Sequence, residues 1–475
     1  MEELVTITSK RDSAEPKKKV FIRTFGCQMN EYDTQKLYKI LEDRYEAVDA
    51  VDKADLVLLN TCSVRDRPEQ KVYSLAGEIK ELKELKPDLL LGIGGCVAQQ
   101  EGEKILKRSS AVDFVFGTHN LSLVPGLIDQ RLRTGLSQVA VNYREEWEEL
   151  PLGLSGAERV SSLVSISRGC NKNCTYCIVP TTRGPEVSRS LDEILKEVRI
   201  QAHKGTKEIV LLGQTVNSWG KDFAQKQKFS ELLDAISQID GIKRIRFSSP
   251  HPQDVKEDFF ELIARNPKIC RGIHMPLQSG SDRVLKAMNR NYRMKRYLEI
   301  ANGLKAAAPD VAITTDFIVG FPSETEAEFE ESLDAIRQVG FVASYSFMFS
   351  PRPGTEAAML VDDVSDTEKL RRLQKLQALQ GELTTQALQA WVGKTTEVLI
   401  DGPSAFGEGK LQGRNSQGFV VNILDNDQSA LQPGDLVNVV IQAPSKFTLK
   451  GYLEEKQGKG VIPPPRVPHP ISTLA

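Results

Sequence analysis

From Lys18 onward, short continuous apolar runs alternate with segments of helical period. KVFIRTFG reads as a strand, and DTQKLYKILEDRY as a helix with Asp33 at its N-cap. DLVLLN (55–60) is a second strand, followed by a helix near Pro68–Lys86. DLLLGIGG (88–95) is a third, followed by a helix near Glu101–Arg108, and DFVFG (113–117) closes the series. Strands that are apolar throughout are buried on both faces, which predicts a parallel α/β sheet across 18–143.

Residues 144–160 are acidic, with Pro and Gly, and read as a linker. A second alternating series follows across 161–391. Its strands are LVSIS (163–167), EIVLLG (208–213), IKRIRFS (242–248), GIHMPL (272–277), VAITTDFIVG (311–320) and ASYSFMF (343–349). Six strand–helix units predict a TIM-like (β/α)6 barrel, complete or partial. An open barrel of this kind leaves one side free for a bulky substrate. A long helical stretch (366–391) then connects to TTEVLI, GFVVNIL, DLVNVVIQ and FTLKGYL, short strands split by Gly and Pro. These predict a small antiparallel β-barrel at 392–455. The polar start (1–17) and the Pro-rich end (456–475) read as disordered.

Composition narrows the setting. The chain has 475 residues, 40% apolar and 27% charged, with net charge −2. It is no polycation, so any nucleic-acid contact must come from local basic patches. No run approaches the roughly 20 apolar residues of a membrane span. The first residues lack the apolar core of a secretory signal. A cytoplasmic, reducing location follows as the expectation, and seven cysteines, an odd number, argue against a disulfide framework.

Cysteine placement carries the chemistry. SRGCNKNCTYCIVP holds Cys170, Cys174 and Cys177, spaced C-x3-C-x2-C, directly after the first barrel strand. Three thiolates on one tight loop can hold three irons of a [4Fe–4S] cube and leave the fourth open. The alternative is a zinc site short of a ligand, and His119, His203, His251, His274 and His469 are all distant in sequence. Cys27, Cys62 and Cys96 lie 35 and 34 residues apart, each two or three residues past a strand. Such ends share one edge of a parallel sheet, where ligands bind. A second three-cysteine cluster is one reading; three unrelated core thiols are the other. Gly26, Gly94 and Gly95 would leave room there for a cofactor. Cys270, alone before a strand, reads as structural. Polar groups also fall at other barrel-strand ends: Gln214 and Asn217, Ser249 and His251, Gln278 and Ser279, and Glu324. Gly213 and Gly320 allow close backbone approach.

The loop spacing, with Tyr176 before the last cysteine, resembles the radical S-adenosylmethionine (SAM) superfamily. That resemblance implies a partial barrel, SAM chelated to the open iron, and a 5′-deoxyadenosyl radical. It carries over Tyr176, Ile318 and Gly320 as candidate SAM contacts, a buried core tyrosine being the alternative for Tyr176. Gly213, Gln214, Asn217, Ser249 and Gln278 are candidates by their place at the same rim, and capping a helix or tying down a loop is the alternative for each. The chain departs from the family's glycine-rich fifth-strand motif, with Asp316 where its first glycine would fall. Across roughly 18–453 the resemblance extends to the methylthiotransferases. GCQMNEYD, NTCSVRDRPEQKVY, GCVAQQEG, LLGQTVNSWG, MPLQSGSDRVLKAMNR and SPRPGTEAA look most like the MiaB-type tRNA methylthiotransferases. This implies conversion of N6-isopentenyladenosine at tRNA position 37 to its 2-methylthio form. Two [4Fe–4S] clusters are implied, on Cys27, Cys62 and Cys96 (auxiliary) and on Cys170, Cys174 and Cys177. Two SAM molecules per turnover are implied, one methylating sulfur and one making the radical that removes the adenine C2 hydrogen. Implied partners are the tRNA anticodon stem-loop, a low-potential electron donor such as flavodoxin or ferredoxin, and Fe–S and sulfur delivery proteins. The chain is expected to be a monomer.

The C-terminal segment resembles the TRAM RNA-binding module, with Lys446, Phe447 and Lys450 on FTLKGYL. Arg183, Arg189 and Arg244 join Lys446 and Lys450 as candidate RNA contacts; solvated surface charge is the alternative for each. Sibling enzymes acting on threonylcarbamoyl-adenosine or on a ribosomal-protein aspartate share the cysteine layout. A non-catalytic Fe–S protein that binds RNA is a reading of another class.

Overall fold

The computed structural model describes residues 16–63, 68–144, 146–148, 150–153, 159–404, 407, 410–425 and 430–454. Except for Pro16 and Lys17, the two terminal segments expected to be disordered lie outside the described residues.

Strands β1 (Lys18–Thr24), β2 (Tyr45–Ala47), β3 (Leu56–Thr61), β4 (Leu90–Gly95), β5 (Phe114–Phe116) and β6 (Gln138–Ala140) form one sheet in the order β2-β1-β3-β4-β5-β6. Every ladder in it is parallel. β3 and β4 are buried along their whole length, as their unbroken apolar character requires. β2 and β6 are three-residue edge strands of mixed polarity, too short to leave an apolar run in the sequence. The first helix spans Gln28–Leu41, so it begins well before Asp33, and Cys27 is its N-cap residue with extended backbone. Asp33 instead points into a buried ion pair described below.

The second series begins with β7 (Ser161–Ser165). A two-stranded ribbon, β8 (Ser167–Arg168) with β9 (Val187–Ser188), encloses the cysteine loop. Five more strands complete the series: β10 (Glu208–Leu212), β11 (Arg244–Phe247), β12 (Gly272–His274), β13 (Ala312–Val319) and β14 (Ala343–Met348). They form two parallel half-sheets, β7-β10-β11 and β12-β13-β14, joined by a bridge between Ile245 and Ile269. β7 and β14 do not pair, so the barrel is open along that side. Ile209, Leu211, Ile245, Ile273, Phe317 and Val319 face outward into a core shared with the surrounding helices. The opposite, inner face of β7 and β10 presents Leu163, Val210 and Leu212, and these pack on Met29 and Tyr32 of the helix Gln28–Leu41. The N-terminal unit thus fills the β7 side of the opening.

The last strands, β15 (Thr395–Pro403), β16 (Leu411–Asn415), β17 (Val420–Ile423), β18 (Leu436–Pro444) and β19 (Thr448–Leu453), close a barrel in the order β15-β16-β17-β19-β18. Four seams are antiparallel and β17–β19 is parallel. An odd number of strands cannot close with every seam antiparallel, so one parallel seam is forced. The β16–β17 turn docks on the N-terminal ends of the large-barrel strands. Arg246 donates to the Asn415 and Ser416 carbonyls at 2.5 and 3.2 Å, and the Gly272 N–H to Ser416 O at 3.1 Å. A Cβ at Gly272 would stand 2.3 Å from Gln417 O, so the close approach requires glycine.

A buried charge seam fixes the N-terminal unit against the large barrel. Glu197 is fully buried on the helix Leu191–His203 and accepts from Lys36 Nζ at 2.5 Å. It also accepts from Arg189, and from Tyr32 OH at 3.4 Å. Lys36 donates in addition to the Pro151 and Gly153 carbonyls, at 3.0 and 3.1 Å. The described part of 144–160 is therefore packed between the two units. Removing one member of a buried ionic set leaves uncompensated charge and costs ~3–5 kcal/mol. Glu197→Ala, which strands two cations, is expected to lower the unfolding free energy, measured by urea titration, by that order. A loss below about 1 kcal/mol would show that water or neighbours compensate the seam.

Candidate active site between two cysteine triads

The loop enclosed by β8 and β9 carries Cys170, Cys174 and Cys177. Its neck is tight: the Cys170 N–H donates to Gly184 O at 3.1 Å. The sulfurs already have donors. The Lys172 N–H lies 3.3 Å from Cys170 Sγ, Thr215 Oγ1 lies 3.4 Å from it, and Arg290 Nη1 lies 3.6 Å from Cys174 Sγ. Arg290 is buried and held by Tyr292 OH (2.8 Å) and Pro276 O (2.7 Å). Burial pushes the Cys177 thiol up to about 12 and raises that of Cys170. Ionised ligands here need a bound cation to offset desolvation, which iron supplies. No group of three His, Cys, Asp or Glu side chains among the described residues is gathered closely enough for a single metal ion. Three thiols on one loop, with a guanidinium and an N–H already beside two of their sulfurs, suit as a donor set a four-iron cube with one iron left open.

Cys27, Cys62 and Cys96 follow β1, β3 and β4, which are adjacent in the sheet. Cys27 is exposed; Cys62 and Cys96 are buried. The nearby glycines serve packing and do not open a cavity. A Cβ at Gly26 would lie 2.6 Å from Cys62 Sγ, at Gly94 2.2 Å from the Phe116 ring, and at Gly95 2.3 Å from Thr61 O. Asn30 ties the strand ends together: its Nδ2 donates to Phe25 O (2.8 Å) and Thr61 O (2.9 Å).

The short helix Val179–Arg183 leaves directly from Cys177 and packs on the helix Cys96–Glu101. Its last residue, Arg183, is buried and donates to Asn30 Oδ1 (2.8 Å) and Asp33 Oδ2 (2.9 Å). Cys27 Sγ lies 3.9 Å from the same Asn30 oxygen. Burial opposes the guanidinium's charge, but Asp33, then Cys96 and Cys27, hold its pKa well above the ordinary arginine value. His119 Nε2 bonds Arg183 O at 2.9 Å, and Thr118 Oγ1 donates to Thr182 O at 2.8 Å. One five-residue helix thus connects the two cysteine sets. Sequence reasoning missed Asn30, Asp33 and Arg290 as site residues; a buried polar residue's partner is distant along the chain and leaves no local signal.

The candidate SAM residues divide. Tyr176 and Ile318 share an apolar cluster with Met288, Phe321 and Phe349 beside the loop. Gln278, at φ +79°, is bridged to β13 through Asp316 O (2.8 Å) and the Ile318 N–H (3.0 Å). Ser249, at φ +29°, lies just past β11. At the ends of β7 and β10, Ser167 Oγ and Gln214 Oε1 are buried with no hydrogen-bond partner among the described residues. A Cβ at Gly213 would lie 2.5 Å from that Ser167 oxygen. Unpaired polar atoms beside the loop suit a polar cofactor. Asn217 is already committed, clamping His251 through bonds of 2.9 and 2.8 Å. Gly320 faces Lys369 of the helix Asp366–Gln389, and its N–H is held by Glu324 (2.7 Å).

Three candidate RNA contacts lie inside. Arg183 is paired with Asp33, Arg189 with Glu197, and Arg244 with Glu397 at 3.0 Å, each nearly inaccessible. Internal ion pairs, not solvent, explain these arginines. Lys446 is exposed, 5.3 Å from the ring of an exposed Phe447, and Lys450 is half-buried.

Comparisons with known proteins agree with this geometry. The Radical SAM superfamily model matches residues 164–336, Uncharacterized protein family UPF0004 matches 19–117, and the TRAM domain matches 389–453. A tRNA-2-methylthio-N(6)-dimethylallyladenosine synthase of Herminiimonas arsenicoxydans is 43% identical over 93% of this chain and 100% of its own. One of Polynucleobacter asymbioticus is 45% identical over 92% and 99%. The chain belongs to the radical SAM tRNA methylthiotransferase family. In fold alone, this methylthiotransferase is similar to the radical SAM methyltransferase TsrM of Kitasatospora setae. That structure has cobalamin and a [4Fe–4S] cluster bound, with TM-score 0.52, 15% identity, and coverage of 72% of this chain and 74% of that one. Family membership carries a [4Fe–4S] cluster and SAM to this chain. Among the described residues no helix is long and apolar enough to cross a membrane.

Two buried histidines generate a pH test. Burial, then Arg168, lowers the His119 pKa to about 4; burial, then Arg290, lowers that of His251 to about 2. Unfolded histidine titrates near ~6.5. Below that pH the unfolded chain binds protons that the folded chain refuses, so stability falls as pH drops. Each fully titrating group contributes roughly 1.4 kcal/mol per pH unit. His119→Gln is expected to flatten the dependence of the urea midpoint between pH 6.5 and 4; an unchanged slope would show that His119 protonates freely in the fold.

Proposed function

We propose that this chain is a tRNA-2-methylthio-N(6)-dimethylallyladenosine synthase, replacing the C2 hydrogen of the prenylated adenine beside the anticodon with a methylthio group. The observation that carries the reading is the pair of cysteine triads joined by the helix Val179–Arg183, in a chain whose relatives of that name match nearly end to end. When bound, SAM and a cluster on Cys170, Cys174 and Cys177 would supply a carbon radical, and a second cluster on Cys27, Cys62 and Cys96 would supply sulfur. The chain's own residues position these groups. Arg290 and Thr215 compensate the loop sulfurs. Asn30 and Arg183 hold the sheet-edge cysteines at a set place relative to the loop. Tyr176 and Ile318 form an apolar wall beside it, suited to an adenine face. Lys446 and Phe447 offer a charge and a ring to RNA on the small barrel. A monomeric, cytoplasmic enzyme fed by a low-potential electron donor completes the reading.

Anaerobic reconstitution is expected to give about eight irons per chain, two [4Fe–4S] cubes. A single zinc ion with no SAM cleavage would overturn the enzyme reading. Cys174→Ala is expected to abolish SAM cleavage and all turnover. Cys62→Ala is expected to keep SAM cleavage and to lose methylthiolation, measured by nucleoside analysis of treated tRNA; full methylthiolation by Cys62→Ala would remove the sulfur-donating cluster from the scheme. The same analysis separates the siblings, because a threonylcarbamoyl-adenosine enzyme would leave prenylated tRNA unchanged.

A further inference from the structure

The inner face of the second half-barrel presents chemistry that the cysteine loops do not use. His274 is in register with Thr314, Asp316 with Tyr345, and Ile318 with Phe347. Register partners on parallel strands point to the same face and stand about 4.8 Å apart. The neighbouring set, Ile273, Ile313, Phe317 and Val319, is buried in the outer core, so this set faces inward. Tyr345 is 63% and Phe347 55% exposed. Two exposed aromatics on adjacent same-face positions of one strand form a wall on the inner face, Tyr345 with His274 at its edge and more than half of each ring open.

Three observations say what this wall receives. It continues from the loop site: Ile318 packs with Tyr176 between Cys174 and Cys177, and Phe347 is the next residue along that face. It borders the open side, because β14 is unpaired there. The β7 side of the same opening is filled by Met29 and Tyr32, on the helix that starts at Cys27. The aromatic wall and the helix that Cys27 caps therefore flank the same opening from opposite sides. Hydrogen-bonding groups lie on the wall itself: His274 is 5.8 Å from Tyr345, ring to ring, and its Nε2 is 3.4 Å from Asp316 Oδ2.

We infer that Tyr345 and Phe347 are the seat of the substrate base, a purine with an apolar N6 substituent, and that Asp316 accepts its remaining N6–H. This rests on the function proposed above. A base must leave its stack to be modified at C2, and an exposed aromatic face replaces the stacking that it loses. An adenine amine is a donor, and a carboxylate on the same face is its acceptor. Asp316, the departure from the family's glycine motif, thereby gains a role.

The test uses the full-length, iron-loaded chain under anaerobic conditions. Equilibrium binding is measured for an anticodon stem-loop RNA carrying N6-isopentenyladenosine, and for the same RNA with plain adenosine. Wild type is expected to prefer the prenylated RNA and to convert it. Phe347→Ala and Tyr345→Ala are each expected to weaken its binding roughly tenfold, from one lost stacking contact. Binding of the plain RNA changes far less, and Phe347→Trp retains the preference. Both rings are more than half exposed, so thermal unfolding of the variants should match wild type. Undiminished preference in both alanine variants overturns the base seat while leaving the proposed reaction intact. A wild type that neither prefers nor converts the prenylated RNA overturns the reaction itself.

Discussion

The arrangement of this molecule depends on one buried carboxylate. Glu197 sits on a barrel helix with no access to water, and its charge is tolerable only because Lys36 and Arg189 meet it. Lys36 comes from the helix that begins at Cys27; Arg189 follows the loop that holds the other three cysteines. The same carboxylate therefore reads both units at once. A sliding of one past the other would leave charge buried and unpaired, which costs far more than lost apolar contact. Buried ion pairs add little net stability, but they discriminate strongly between correct and shifted docking. That is what a reaction between two separately held groups requires.

Asp33 and Arg183 repeat the arrangement one helical turn away, closer to the cysteines. The helix Gln28–Leu41 thus serves two interfaces. Asn30 fastens the strand ends, while Met29 and Tyr32 fill the barrel opening and Asp33 and Lys36 lock the docking. The residues between Gln28 and Lys36 are nearly all buried, and few of them are apolar.

Much of this was legible in the sequence. Continuous apolar runs located the strands, and strand ends grouped Cys27 with Cys62 and Cys96, because parallel topology puts such ends on one edge. The helix start was misread because Asp33 has the chemistry of a cap, and nothing local says that its partner is Arg183. The arginines were misread for the same reason: Arg189 and Glu197 lie eight apart, and only a fold brings them together. The glycines near the cysteines looked like space for a ligand and are space for Cys62 and Phe116. Composition marks where a backbone is bare, but not what fills the gap.

The docking of the β16–β17 turn bears on how the chain is made. Arg244 and Arg246 begin β11, in the middle of the large barrel, yet their carbonyl partners are Glu397, Asn415 and Ser416. A growing chain that has emerged only as far as β14 holds every strand of the large barrel while these guanidinium groups lack their carbonyl acceptors, Arg246 keeping only Glu208 of β10, at 2.7 Å. Domains ordinarily fold one after another as they leave the ribosome. Here the final sixth of the chain finishes the floor of the middle one, so the large barrel and the small one mature together, and a prematurely ended product carries a barrel whose basal arginines have lost their carbonyl partners.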